Sequence, residues 1–208
     1  MLNFLTNIYA QTPLLNIVLE LLSFILGILS VWYARKENIL VFPTGLISTI
    51  IASYLLYLTD DLGNMFVNAY FSVMSLFGWY NWSFGKTNGE ENLKISTTTA
   101  KQRIQGIAIG VFTFIFVYLI YQFFNIAITK ITYVDLITTA IFFTAMWYMA
   151  LKKLESWILW TIGNIIVIPL FMYRDLILLS LQYSILTYLA ITAYLEWKKN
   201  IQNQREKS

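Results

Sequence analysis

Three residues in the last third of the chain carry its clearest chemical signal. Trp157, Trp160 and Asn164 stand at i, i+3 and i+7, which places them within roughly 60° of one helix face at 3.6 residues per turn. An indole face attracts a cation, more strongly where water is excluded. A carboxamide both donates and accepts hydrogen bonds. Together they suit a flat heteroaromatic solute with delocalised positive charge and a polar edge. Trp157 also fits an interfacial anchor near a helix end, whereas Asn164 lies too deep in its helix for that role.

A second line of polar and aromatic groups runs through Asn64, Asn68, Ser72, Ser75, Trp79 and Trp82, all within roughly 80° of one helix face. Ser72 and Ser75 read as small residues that let helices approach closely. Asn68 is bulkier and mid-helix, so it is a candidate for facing solute, as is the amide of Gln182. Thr44, Ser48 and Thr49 read as bonded to backbone. Glu20 and Asp135 are acids in equivalent positions; an ionisable residue in a membrane helix is a functional candidate, although an acid is also favoured near a helix N-terminus. The expected solute contacts are therefore Trp157, Trp160, Asn164, Asn68 and Gln182, with Asn64, Glu20, Asp135 and Trp79 behind them.

The elements that hold these residues are membrane helices. Of 208 residues, 58% are apolar and 12% charged, and a soluble domain carries about a quarter of its residues as charges. No Cys and no His occur, which removes thiolate nucleophiles, Ser-His triads, and imidazole or thiolate metal sites. No G-x-x-x-x-G-K-[ST], G-x-S-x-G or H-E-x-x-H motif is present, so the sequence predicts neither an enzyme nor a nucleotide-driven pump, and calls for no cofactor, metal or nucleic acid. Apolar runs near the ~20 residues a spanning helix needs lie at 14–34, 39–58, 62–82, 103–124, 133–151, 155–173 and 175–197. The expectation is an all-α membrane protein of seven transmembrane helices, one integral domain over 1–208, with its first helix retained rather than cleaved.

Charge sets the orientation. On one side lie only Lys130 and Arg174; on the other lie Arg35, Lys36, Lys86, Lys94, Lys101, Arg103, Lys152, Lys153, Lys198, Lys199, Arg205 and Lys207. Basic residues favour the cytoplasmic side, so the N-terminus is expected outside and the C-terminus in the cytoplasm.

The chain also matches itself. Offsetting it by 115 residues places Glu20 on Asp135, Trp32 on Trp147, Tyr33 on Tyr148, Asp60 on Asp175 and Trp82 on Trp197. Between these anchors the best register is 118, with Glu37 on Glu155 and Gly45 on Gly163; it sets Ile39, Phe42 and Leu46 against Trp157, Trp160 and Asn164. Spans 1–3 (about 14–82) and 5–7 (about 133–197) then form parallel repeats around a connector loop and helix (about 83–124). This 3+1+3 plan, like that of SWEET carriers, points to solute transport, because two like bundles can rock to alternate access.

Trp-x-x-Trp-x-x-x-Asn at 157–164, Gly78-Trp79-Tyr80-x-Trp82 at the end of span 3, and the 3+1+3 plan together resemble the nicotinamide riboside transporter (PnuC) family. The likeness runs from about residue 14 to residue 199. The resemblance implies facilitated diffusion of an NAD precursor across a bacterial inner membrane, with a cytoplasmic kinase trapping the product. It also implies a homotrimer in membrane lipid and a pocket that uses Trp157, Trp160 and Asn164. Asn68 stands where carriers of nicotinamide riboside are associated with Gln, and a shorter amide reshapes a pocket. Thiamine, or another small vitamin, is the alternative solute on the same fold; a sugar is a more distant one.

Overall fold

The computed structural model describes residues 13–59, 62–85, 93–124, 127–174 and 177–206. These form seven helices: α1 (Leu14–Arg35), α2 (Val41–Leu58), α3 (Leu62–Phe84), α4 (Ala100–Phe123), α5 (Lys130–Ala150), α6 (Glu155–Tyr173) and α7 (Ile177–Glu206). Among the described residues the only β feature is an isolated bridge between Ser96 and Lys153. Asp60, Asp175, Lys86, Lys207 and residues 1–12, all used in the sequence argument, lie outside the described residues.

Helix starts depart from the hydropathy estimate where capping residues extend them. Thr99 with Gln102, and Thr129 with Thr132, form reciprocal capping boxes that begin α4 and α5 ahead of their apolar runs. Each box satisfies two backbone N–H groups that a helix start would otherwise leave unpaired. At the other end of the chain, α7 continues well past residue 197, on polar residues, to Glu206.

Six of the helices are long and apolar enough to cross a membrane. The seventh, α3, is not, because Asn64, Asn68, Ser72, Ser75 and Asn81 dilute its apolar content. It is nevertheless 23 residues long, about 35 Å at 1.5 Å per residue, against a hydrocarbon core of about 30 Å. Its outward positions Phe66, Val73, Leu76 and Tyr80 are exposed and apolar or aromatic.

Packing follows chain order within each half, α1 on α2 on α3 and α5 on α6 on α7. Between halves, α1 meets α7 and α3 meets α5, while α4 packs on α5. The α1–α2 and α5–α6 turns are built alike. In the first, the N–H of Glu37 donates to Ala34, that of Asn38 to Tyr33, and that of Phe42 to Ile39; in the second, Lys152 donates to Met149, Lys153 to Tyr148, and Trp157 to Leu154. Every one of these bonds recurs 115 residues later, the separation of Glu37 and Lys152. The register of 118 expected through this region is therefore corrected to 115: Phe42, Gly45 and Thr49 stand opposite Trp157, Trp160 and Asn164. Backbone hydrogen bonds fix that alignment, whereas side-chain similarity had drifted by about one helical turn.

The basic end of the bundle, where both turns lie, is packed by Ala34, Phe42, Trp82, Ile95, Met149, Trp157, Ala193 and Trp197. Ile95 comes from the polar connector between α3 and α4, and is 2% exposed. Its neighbour Ser96 pairs with the second turn: its N–H donates to Lys152 O at 3.2 Å, and its carbonyl accepts from Leu154 N at 3.0 Å. The Glu155 carboxylate then accepts from the N–H and the hydroxyl of Thr98. This part of the connector is a strap seated on the second half, where the sequence suggested only a linker.

Candidate functional site

A cavity of about 120 Å³ shares walls with this cluster. It is lined from every helix except α4, with Ser30, Ala34, Phe42, Ser75, Met149, Trp157, Trp160, Asn164 and Tyr183 among its walls. Four pairs of lining residues are 115 apart: Val31 and Met146, Ala34 and Met149, Phe42 and Trp157, Ser75 and Ala190. The cavity is thus walled by matching positions of both halves.

Helix α6 supplies three of the walls because Trp157, Trp160 and Asn164 share its inward face. Trp157 is 1% exposed and Asn164 2%. Trp157 packs edge-on to Trp197, with centroids 5.4 Å apart. The Trp160 ring stacks on Phe142 at 5.3 Å and 29°, and Phe142 in turn is tilted against Tyr183. Phe142 approaches α6 closely because Gly163 leaves room; a Cβ there would stand 2.3 Å from the ring. Two buried polar atoms on these walls have no partner, the Trp157 indole nitrogen and Asn164 Oδ1. One is a donor and the other an acceptor, and a buried polar atom left unpaired is costly. No lining residue is charged, so a cation entering here would meet ring faces rather than a carboxylate.

The remaining expected contacts are not among the lining residues. The Asn68 amide donates back to the Asn64 carbonyl at 3.0 Å, which ties it to its own helix. Gln182 turns toward α1, its Nε2 3.4 Å from the place of a Cβ on Gly27; one helix step of about 100° gives the cavity Tyr183 instead. Asp135 pairs with Arg174 at 2.5 Å, near the end away from the turns. Trp79 is 39% exposed on the outer surface, while Glu20 and Asn64 also stand outside the lining. Ser30, Ser75 and Tyr183 are the polar walls that sequence reasoning missed. For Ser75 the signal was present, on the α3 stripe, but it was assigned to close packing. The stripe itself divides: Ser72 meets Thr49 at 2.7 Å, Ser75 reaches the cavity, and Trp82 enters the basic-end cluster.

Residues 17–199 match the family described as nicotinamide mononucleotide transporter. The chain belongs to that family. Among curated relatives it is similar to the nicotinamide riboside transporter PnuC of Haemophilus influenzae, 30% identical over 92% of this chain and 83% of that protein. It is also similar to the protein of the same name from Escherichia coli, at 24% identity over 86% and 84% of the two chains. A crystal structure of the vitamin B3 transporter PnuC superposes with a TM-score of 0.71, covering 97% of this chain and 88% of that one at 22% identity. The family consists of multi-pass membrane transporters and not of enzymes.

Proposed function

We propose that this protein carries nicotinamide riboside across a bacterial inner membrane by facilitated diffusion. The observation that carries this reading is the unpaired Trp157 indole N–H and Asn164 carbonyl in an uncharged aromatic cavity. A pyridinium ring bearing a carboxamide matches both: its face suits the indoles, and its amide supplies an acceptor for Trp157 and a donor for Asn164. The names of the relatives support the same solute. Trp157, Trp160 and Asn164 are the residues assigned to it, with Ser30, Ser75 and Tyr183 completing the walls.

The proposed architecture is two parallel repeats, α1–α3 and α5–α7, joined by α4. It is supported by the recurrence at 115 of turn bonds, wall residues and edge-on aromatic pairs, Phe42 with Trp82 and Trp157 with Trp197. The N-terminus is placed outside and the basic end in the cytoplasm, on the distribution of Lys and Arg. A homotrimer and a cytoplasmic kinase that traps the product complete the proposal; they rest on the resemblance to the family, and native mass measurement tests the first.

The solute is tested by calorimetry on the purified protein with nicotinamide riboside, thiamine and a monosaccharide. Binding of nicotinamide riboside alone is expected; preference for thiamine or the sugar overturns the assignment. Liposomes holding only this protein should equilibrate the solute without an ion gradient. Accumulation that requires sodium or protons overturns the passive mode.

A further inference from the structure

The two turns at the basic end touch each other through the one residue in each that has a left-handed backbone. Glu37 has φ 53° and Lys152 φ 51°, a conformation in which Gly or Asn is the usual occupant. Both positions instead keep long charged side chains, and those side chains meet. Lys152 Nζ lies 3.5 Å from Glu37 Oε2 and 4.6 Å from the centroid of the Trp82 ring. The other Glu37 oxygen accepts from Asn200 Nδ2 at 2.9 Å. The Lys152 side chain is only 12% exposed. Burial pulls its pKa below the ordinary lysine value, and the Glu37 carboxylate opposes that pull.

Further bonds cross between the halves at this level. The Trp82 indole donates to the Met149 carbonyl, and the Trp197 indole to the Arg35 carbonyl, so each half's last helix holds the end of the other half's first helix. Asn81 adds a bond to the Ala150 carbonyl. The cluster around Ala193 adjoins the cavity, sharing Ala34, Phe42, Met149, Trp157 and Ala190 with its walls. The cavity's volume is below the ~300–1,000 Å³ of usual ligand sites, so the halves must part to pass a nucleoside. Parting them at this end breaks the Glu37–Lys152 pair.

We propose that Glu37 and Lys152 are the lock on the basic-end mouth of the transport pathway, with Trp82 and Trp197 as the doors they hold shut. The ion pair and the cation–ring contact hold the two turns together over the indoles. When the pair opens, the halves separate and the cavity drains at that end. The strap fixes the Lys152 turn to the connector, while Arg35 and Lys36 beside Glu37 pair with Glu196 of α7, so those pairs part together with the lock when the halves separate. The inference rests on the transport reading, yet its test needs no solute.

The chain has no Cys, so a single thiol can report the mouth. Ala193, 0% exposed in the cluster, is replaced with Cys in the full chain in nanodiscs, which expose both faces. Its reaction rate with a polar maleimide is then measured. Slow labelling is expected in this background, and severalfold faster labelling when Glu37→Gln or Lys152→Met is added. The exchanged pair, Glu37→Lys with Lys152→Glu, restores the ion pair but not the cation–ring contact, so it should return labelling most of the way to slow, and thermal unfolding of each variant checks the fold. Unchanged rates in both neutral variants overturn the lock, as does an exchanged pair that folds normally and labels as fast as the neutral variants. If a neutral variant unfolds, the exchanged pair decides alone. Calorimetry on the same variants keeps the readings apart, since solute binding can persist while the lock fails, and labelling can respond whatever the solute.

Discussion

In α2, the Thr49 hydroxyl is 2.7 Å from Ser72 and donates to the Leu46 carbonyl at 3.1 Å. At the matching place in α6, 115 residues on, Asn164 Oδ1 is buried without a partner. Phe42 and Trp157 differ in the same way. Each is 1% exposed and packs edge-on against a tryptophan of the next helix. Only Trp157 adds an N–H, and that N–H is also unpaired. At these two places the first half offers the cavity no open hydrogen-bonding group, while the second presents an unpaired donor and an unpaired acceptor. On the proposed repeat architecture, the frame is supplied twice and the chemistry added once.

Making the second half copy the first is the strongest way to break this contrast. Asn164→Thr reproduces Thr49, whose hydroxyl can bond to its own helix. Solute binding should weaken by about 1–3 kcal/mol, the cost of leaving a buried group unpaired, or about 5- to 150-fold at 1.4 kcal/mol per decade. The solute-free protein should melt no lower, because the orphaned acceptor is gone. Calorimetry and thermal unfolding on one preparation give both numbers. A lower melting point with unchanged affinity would make Asn164 a structural amide.

Next is the spacing that keeps the Trp160 wall in place. Gly163→Ala puts a Cβ 2.3 Å from the Phe142 ring, and Phe142 is buried beneath Trp160. Overpacking a filled interior costs roughly 1–3 kcal/mol, so the thermal midpoint should fall and solute affinity with it. Gly27→Ala, in the first half, meets only the Ser48 hydroxyl and Gln182 amide at 3.3 and 3.4 Å, and should shift the midpoint less. Equal shifts would mean that Phe142 has room to move.

The sequence made the membrane class, the helices and the α6 triplet legible, because each rests on a local signal: apolar run length, or residues three and four apart on one face. What it could not supply was rotation between helices. Asn68 and Gln182 looked like wall residues on polarity and depth, but a turn of about 100° per residue decides which neighbour faces inward, and Tyr183 took the place of Gln182. The register of the repeat failed for a related reason. Matching side chains favoured 118 where the turn's hydrogen bonds require 115, and hydrogen bonds leave no trace in composition. The strap at Ile95 was hidden by its polar flanks, since a single buried residue gives no periodicity.

A gentler copy replaces Trp157 with the phenylalanine of the matching site. Trp157→Phe should retain the edge-on contact with Trp197, as Phe42 does with Trp82, and remove only the N–H. A neutral hydrogen bond is worth about 0.5–1.5 kcal/mol net, so affinity should fall roughly 2- to 13-fold with little change in melting. No loss would leave the donor role empty and confine recognition to Asn164 and the ring faces.

The smallest effect is expected at the Asp135–Arg174 ion pair of the second half. Asp135 meets Arg174 at 2.5 Å, with their side chains 27% and 33% exposed. At the equivalent first-half positions stand Glu20 and Thr59, and the Thr59 hydroxyl donates to carbonyls of its own helix. The pair looks like a second asymmetry with a function, but it lies outside the cavity lining and is open to solvent. Exposed pairs contribute about 0–1 kcal/mol, since water already solvates both charges and ordering two side chains costs entropy. Asp135→Asn should therefore leave solute affinity unchanged and lower the unfolding free energy by less than about 1 kcal/mol. A large loss of transport with normal binding would place the pair in the outer mouth, as a counterpart to Glu37 and Lys152 at the basic end. The asymmetry between the halves would then extend from recognition to gating.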